Sequence, residues 1–475
     1  TPPLTKQATI FWLGALLLSA TSVLLTYAVF TQMDDPALVK DEWGGLAFYF
    51  DKGFWSSVFC QHNHHVVILP KIVTRLLFLG TDADPYIRSL TTLLSASLLG
   101  IFIGYVCSRI PEEIEANRLV RVSRFTIALA FTLWLVCYQQ IFWGMAIYSY
   151  FCLIFGFAAV VSLDAILQKN QITKGWLLLP ALLATASTAS FSYGVATWGA
   201  LAVLMFFYRK PWQWIAATLA LGLGLFIGLR QSLPHCRPLS FLAPDGSIAD
   251  PLVMVQSLLS LVGSMWVHSL APLAAPSSFH AGIMGALGLG VLCWLTLLAW
   301  QAQGFRAYRL LVNGCWLASG MLLLVAVGRN PASFGFANQM IAVRFMPLSI
   351  FFWTCLLAAL SCRPGESSPA GATRAAIHAA AGVYLLVTAL LAVSWMSSMR
   401  AQNLHFTRAE MQVEAIRTWV APESSGNMRT TNTLGLFEAA LFRDHVGELR
   451  ARNWDFFRAV PSTDFPARVA DVENK

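Results

Sequence analysis

The sequence predicts an all-α polytopic membrane protein, and three observations support this fold class. Of the 475 residues, 57% are hydrophobic and only 12% are charged, whereas soluble domains carry about 25% charged residues. The apolar residues are gathered in runs of about 20, the length that a helix needs to cross a bilayer. The lysines and arginines are concentrated in alternate short loops between these runs, as in multi-pass proteins.

About eleven segments are predicted to be membrane-spanning helices. The first, 10–31, is interpreted as a retained span, because it is long for a signal-peptide core and no small-residue cleavage site follows it. The stretch 176–208 is too long for one helix and short for two full crossings, so we interpret it as a hairpin of two short helices. The predicted spans are 10–31, 88–108, 125–143, 147–168, 176–190, 194–208, 211–230, 281–300, 310–328, 345–361 and 374–396.

The centre of the predicted hairpin, 187–194, is rich in small and polar residues. Two interpretations of this turn remain open. Unwound polar backbone at membrane depth is tolerated where it lines a wet cavity, which would place a cavity near Ser190–Gly194. Alternatively, the serines and threonines allow close packing of neighbouring helices.

The charge distribution predicts the orientation of the chain. Basic residues fill the loops near Arg109–Arg124, 169–174, 209–210, 306–309 and 363–374, so these loops and the N-terminus are expected in the cytoplasm. The long loops 32–87, 231–280 and 329–344 are then outside. An additional apolar segment, 252–270, would break the alternation, so we expect a helix that lies at the outer interface or re-enters the membrane.

The chain divides into two predicted regions. Residues 1–396 form the transmembrane domain, and residues 397–475, which are richer in charge, form a small C-terminal helical region outside the membrane. The net charge of +8 is explained by the basic loops. No basic run interleaved with aromatic residues is present, so nucleic acid is not an expected partner. Cys60 and Cys236 both fall in outside loops, where an oxidising compartment would permit a disulfide between them.

Acidic residues follow the first span closely, at Asp34, Asp35, Asp41, Glu42 and Asp51. A carboxylate at the membrane boundary can act as a general base for a hydroxyl or as a metal ligand. Most acids in an outside loop are simply solvated. The pair Asp41 and Glu42 is the stronger candidate, because the apolar run after it would hold the pair against the membrane surface.

A polar cluster follows about twenty residues later and holds three of the nine histidines. Two of them are three residues apart, so they share one face if the segment is helical and would suit a metal ion together with a carboxylate. Hydrogen bonding to a phosphate or a sugar is an equally good interpretation. The cluster consists of Gln61, His62, Asn63, His64 and His65.

Four cations are candidate ligands of a phosphate. Lys71 and Arg75 are four residues apart on an apolar helix of the kind that lies in the membrane interface, where ordinary headgroup contact is the alternative. Arg329 and Arg344 bracket an outside loop, on the side where few cations are expected. Arginine binds phosphate oxygens in a bidentate manner, although pairing with loop acids is the alternative for these two residues.

These motifs resemble those of GT-C glycosyltransferases, in particular a group of bacterial inner-membrane proteins. Their first outer loop typically reads D-D-W and then Q-H-N-E-H-R, which corresponds here to Asp41-Glu42-Trp43 and Gln61-His62-Asn63-His64-His65-Val66. Their later G-R and S-R-Y motifs correspond to Gly328-Arg329 and Val343-Arg344-Phe345. The resemblance covers most of residues 10–400. The chain departs from the pattern at three positions: Glu42 stands where the pattern has Asp, His64 where it has Glu, and Val66 where it has Arg.

The resemblance implies a multi-pass enzyme of the bacterial inner membrane, with its active site facing the periplasm. It implies a polyprenyl-phosphate sugar donor and transfer of a hexose or pentose, with inversion, to a periplasmic glycan, glycolipid or protein. A divalent cation remains an open possibility. The implied catalytic residues are Asp41 and Glu42, the implied donor-phosphate ligands are Arg344, Arg329, Lys71 and Arg75, and the implied substrate ligands are Gln61, His62, Asn63, His64, His65 and Tyr193.

Two other functions remain open from the sequence. A transporter or flippase of lipid-linked saccharides would explain the spans and the interfacial cations, but it predicts ionisable groups within the helices and pseudo-symmetric halves. A polysaccharide polymerase or ligase would depend on arginine and histidine rather than on an acid after the first span. Replacement of Asp41 separates these functions, because only the GT-C type of enzyme should lose turnover and keep donor binding.

Overall fold

The computed structural model describes residues 6–31, 53–61, 65–81, 84–108, 118–134, 146–168, 177–234, 251–270, 277–301, 306–328 and 345–360. These residues are almost entirely helical, and no β-strand occurs among them. Seven of their helices are long and apolar enough to cross a membrane. The all-α, multi-pass class is therefore confirmed, whereas the count of about eleven spans is not. The predicted span 374–396 and the C-terminal region 397–475 lie outside the described residues.

The helices largely coincide with the predicted spans. The main difference is at α4, which runs from Arg118 to Thr132, whereas the predicted span was 125–143. The helix begins earlier because its basic residues continue it beyond the apolar run, and it ends at Thr132, before a turn at Leu133. The helices are α1 Lys6–Thr31, α2 Leu69–Gly80, α3 Pro85–Ser108, α4 Arg118–Thr132, α5 Ile147–Gln168, α6 Leu178–Ser190, α7 Ala196–Phe207, α8 Trp212–Ser232, α9 Pro251–Ser269, α10 Ser278–Gln301, α11 Arg306–Gly328 and α12 Met346–Leu360.

Hydrogen bonds between helices define their directions. Ser123 Oγ donates to the Trp12 carbonyl (3.0 Å) near the starts of α4 and α1, and Thr26 Oγ1 donates to the Leu133 carbonyl (3.0 Å) near their ends, so these helices are parallel. We call the end at which α1 begins the inner end and the opposite end the outer end. Contacts along the bundle place the starts of α4, α6, α8 and α11 at the inner end, and those of α3, α5, α7, α10 and α12 at the outer end.

Charge is distributed unequally between the two ends of the described residues. Eight lysines and arginines lie toward the inner end, and four lie toward the outer end. The first group is Lys6, Arg118, Arg121, Arg124, Arg209, Lys210, Arg306 and Arg309, and the second is Lys71, Arg75, Arg88 and Arg230. This asymmetry agrees with a cytoplasmic inner end. The orientation itself stays a prediction.

The predicted hairpin is present, with α6 and α7 joined by a 3₁₀ turn at Ser192–Val195. Its small polar residues are buried against their neighbours. Ser187 Oγ donates to the Cys152 carbonyl of α5 (2.8 Å), and Thr197 Oγ1 donates to Ser187 Oγ (2.9 Å). A Cβ at Gly194 would lie only 2.1 Å from the Ser187 carbonyl oxygen. Close helix packing, rather than a wet cavity, therefore explains the small residues of this hairpin.

The additional apolar segment forms α9, which packs inside the bundle. It is antiparallel to α10, because Leu259 lies against Gly285 while Gly263 lies against Ala281. Its carbonyl at Val262 also accepts hydrogen bonds from two α12 side chains. These contacts exclude a helix that lies flat at the interface and agree with a helix that enters the membrane. Since α8 and α9 point in the same direction, α9 does not continue the simple alternation of crossings.

Candidate functional site at the outer end of the bundle

The segment that precedes α2 connects the outer ends of α6 and α8. Gln61 is attached to the end of α8: its backbone N–H donates to the Pro234 carbonyl (2.8 Å), and its Nε2 donates to the carbonyls of Arg230 (2.6 Å) and Leu233 (2.9 Å). The last carbonyls of a helix have no intrahelical donor. The amide nitrogen of Gln61 therefore caps α8, and its role in substrate binding stays a prediction. Its buried Oε1 has no hydrogen-bond donor in the described part of the chain.

The end of the same segment is attached to the hairpin. Val66 N–H donates to Ser192 Oγ (2.8 Å), and Ile68 N–H donates to the Ala189 carbonyl (2.7 Å). Because Ala189 and Ser192 flank the turn between α6 and α7, the polar cluster of the first loop lies beside that turn. From the sequence, the polar cluster and the hairpin turn were separate candidates, and the fold brings them together.

Aromatic rings cover the turn. The His65 imidazole stacks on the Phe191 ring (centroids 4.3 Å apart), and the Tyr148 ring stacks on Phe191 as well (4.7 Å). Tyr193, a predicted substrate ligand, is buried, and its hydroxyl shares a 2.8 Å hydrogen bond with Ser149 Oγ. It therefore holds the turn against α5, and its role as a substrate ligand stays a prediction. His65 and Tyr148 remain half-exposed at this outer end.

Lys71 lies inside the protein rather than in a headgroup layer. Its Nζ donates to the Cys60 carbonyl (2.7 Å) and to Cys60 Sγ (3.3 Å). Burial, and next the charge of Arg75, lowers the pKa of Lys71 from 10.5 to about 7. Leu76 and Leu79 of the same helix are exposed. The helix is amphipathic as predicted, but its cations face the bundle, so ordinary headgroup contact does not describe Lys71 and Arg75.

Two arginine guanidinium groups lie near the same aromatic ring, close to Lys71. Arg75 Nε donates to Ser57 Oγ (3.2 Å), and its guanidinium lies 5.3 Å from the centre of the Phe78 ring. The guanidinium of Arg88, at the start of α3, lies 5.0 Å from the same ring. Arg88 is 2% exposed and was not a candidate from the sequence. The available signal was a cation at the outer end of a span, where the positive-inside rule predicts few.

Cys60 is disulfide-bonded, whereas Cys107, Cys152, Cys293, Cys315 and Cys355 are free. The partner of Cys60 is therefore one of the cysteines outside the described residues. The predicted partner, Cys236, is one of these and follows two residues after Pro234, to which Gln61 is hydrogen-bonded. The pairing of Cys60 with Cys236 stays a prediction that agrees with this contact.

The remaining candidates fall outside the described residues. These are Asp41, Glu42, His62, Asn63, His64, Arg329 and Arg344. Among the residues that the structure describes, no group of three His, Cys, Asp or Glu side chains is placed to hold a metal ion. The described part of the site thus consists of Gln61, His65, the turn 189–193 and three buried cations.

A comparison with protein-family models, curated proteins and solved structures finds no match to this chain.

Proposed function

We propose that this chain is a membrane-embedded glycosyltransferase that moves a sugar from a polyprenyl-phosphate donor to an acceptor at the outer face of the bacterial inner membrane. The observation that supports this function best is the group of cations Lys71, Arg75 and Arg88, which are buried together at the outer end of the bundle. Charged groups at membrane depth are costly and usually mark a path or a site for ions. A lipid phosphate carries the charge that is complementary to these groups.

The proposed reaction follows from the acids and cations of the first loop. The acceptor hydroxyl attacks the anomeric carbon of the donor sugar while Asp41 takes the hydroxyl proton. The bond between the anomeric carbon and the phosphate oxygen breaks, and the polyprenyl phosphate leaves with that electron pair. Cations near the phosphate stabilise the charge that develops on the leaving oxygen. Displacement from the opposite side inverts the anomeric centre.

Residues around the turn are proposed to bind the rest of the substrate. The half-buried rings of His65 and Tyr148 offer flat surfaces and polar edges at the outer end. Glu42 and the neighbouring histidines, His62 and His64, belong to the same loop and complete the proposed site. Arg329 and Arg344 are proposed as further phosphate ligands on the strength of the motif resemblance.

A transfer assay with purified protein tests this function. Membrane vesicles that contain a polyprenyl-phosphate sugar should release polyprenyl phosphate when acceptor is added, and Asp41→Asn should lower the rate by about 10²–10⁴ while donor binding is retained. Movement of the intact donor between leaflets without release of polyprenyl phosphate would instead indicate a flippase.

Variants of the cations test the phosphate site. Arg88→Gln is expected to weaken donor binding by roughly ten- to a hundred-fold, because a charge-assisted hydrogen bond is lost. Arg88→Lys should restore binding only in part, since lysine lacks the planar fork of arginine. Arg230→Gln is the matched control, because Arg230 lies at the same outer end but is exposed. Equal donor affinity of Arg88→Gln and Arg230→Gln would contradict the assignment.

A further inference from the structure

A groove on the membrane-facing surface begins at Trp198, close to the hairpin turn, and extends toward the inner end of the bundle. It has a volume of about 310 Å³ and separates α8 from α6 and the ends of α5 and α7. Its walls are mainly apolar, and Gln213, Trp214 and Thr218 supply the few polar groups. The other lining residues are Leu163, Leu177, Pro180, Ala181, Trp198, Leu201, Met205, Ala217 and Leu221.

The groove exists because α8 touches the bundle at few points. Of its 21 residues only Gly222 is buried. At Gly222, α8 and α7 approach each other closely, since a Cβ at this position would lie 2.3 Å from the Trp198 side chain. On the inner side of this contact, the groove lies between α8 and the start of α6. The exposed Leu178 and Leu182 of α6 face the same apolar surroundings, so the groove opens toward lipid.

The inner mouth of the groove carries positive charge. Lys210 N–H donates to the carbonyl of the lining residue Met205 (3.0 Å), which places Lys210 beside the groove. The neighbouring Arg209 guanidinium lies 5.3 Å from the centre of the Trp300 ring. Trp212 and Trp214 are exposed at the same level. Tryptophans with lysine and arginine at a helix end are typical of the headgroup layer.

We propose that this groove binds one acyl chain of an anionic phospholipid of the inner leaflet, with the headgroup at Lys210 and Gln213. Apolar walls that open to the bilayer suit a hydrocarbon chain, and a basic residue at the mouth favours an anionic headgroup. The bound lipid fills the space between α6 and α8. This inference is independent of the catalytic function.

Native mass spectrometry of the full chain, titrated with dioleoyl-phosphatidylglycerol or dioleoyl-phosphatidylcholine, tests the proposal. The wild type should retain one phosphatidylglycerol more strongly than phosphatidylcholine. Lys210→Gln should weaken phosphatidylglycerol binding about five-fold and leave phosphatidylcholine unchanged, since one basic residue near an anionic lipid contributes about this factor. Lys6→Gln is the control at the same end of the bundle.

A second pair of variants tests the groove itself. Ala217→Trp places a large side chain in the groove and should abolish retention of the lipid, whereas Ala216→Trp, on the same exposed helix but not in the lining, should not. Equal retention in both tryptophan variants would overturn the assignment of the groove. Equal binding of the two phospholipids by the wild type would overturn the anionic headgroup. Preferential displacement of phosphatidylglycerol by polyprenyl phosphate would overturn the choice of occupant.

Discussion

Gln61 provides the sharpest test of how the outer end is assembled. Replacement by methionine keeps the length and flexibility of the side chain but removes both hydrogen bonds from Nε2 to the carbonyls of Arg230 and Leu233. Gln61 is 3% exposed, so those carbonyls gain no ready access to water. A net loss of roughly 1 kcal/mol per hydrogen bond, with a further cost for buried acceptors left unsatisfied, gives about 2–3 kcal/mol for opening the last turn of α8.

Hydrogen exchange measured by mass spectrometry is the appropriate assay, because it reports local opening and does not require global unfolding. A cost of about 2–3 kcal/mol corresponds to exchange that is roughly 30- to 150-fold faster in peptides that contain the last turn of α8. Ser232→Ala is the control. Its hydroxyl is exposed and makes only a 3.3 Å contact with the Leu229 carbonyl in the same turn, so exchange should change little.

The substitution Gln61→Glu adds a pH dependence. The introduced carboxyl would face two carbonyl oxygens in a buried position, and both effects raise its pKa in the folded state. The folded protein would then bind a proton more readily than the unfolded chain, so the destabilisation should shrink as pH falls through the raised pKa. Unchanged exchange in Gln61→Met, or a defect in Gln61→Glu that does not vary with pH, would refute the capping role.

Three further predictions concern the hairpin, the buried amine and the disulfide. Gly194→Ala should lower the yield of folded protein in size-exclusion chromatography, because a Cβ at this position would meet the backbone of α6. Gly199→Ala is the control, since a Cβ at Gly199 has open space around it. Equal yields of the two variants would contradict the close packing of the hairpin. The pKa of Lys71 is lowered from 10.5 to about 7 in the folded protein. Between about pH 7 and pH 10.5 the folded protein therefore binds fewer protons at Lys71 than the unfolded chain does, and thermal stability should rise with pH across that interval. Lys71→Met should abolish this rise in thermal stability, and Arg75→Gln should narrow the pH interval over which it occurs. Identical pH profiles of the wild type and Lys71→Met would contradict the lowered pKa of Lys71. A peptide map without reductant should link Cys60 to the loop after α8, and a link elsewhere would exclude the predicted pairing.

The predictions from the sequence were most successful where the signal is local. Hydropathy and the spacing of basic loops predicted the membrane class and most helix bounds, because both follow from transfer of a continuous segment into lipid. The hairpin of α6 and α7 was predicted from its length and its small polar centre, and the bounds agree within two residues. The amphipathic nature of α2 was also predicted, since Lys71 and Arg75 are one turn apart.

The tertiary structure decided what each of these residues contacts. Helical spacing places Lys71 and Arg75 on one face, but only the position of Cys60 and Ser57 shows that this face points inward. Gln61 caps a helix that lies some 170 residues later in the chain. No local pattern encodes such a partner, because the free energy of a hydrogen bond or a buried charge depends on the groups that the fold brings within reach. Residue type and spacing therefore determined which side chains were candidates. Packing decided which of them cap a helix end, which hold neighbouring segments in place, and which remain accessible to a substrate.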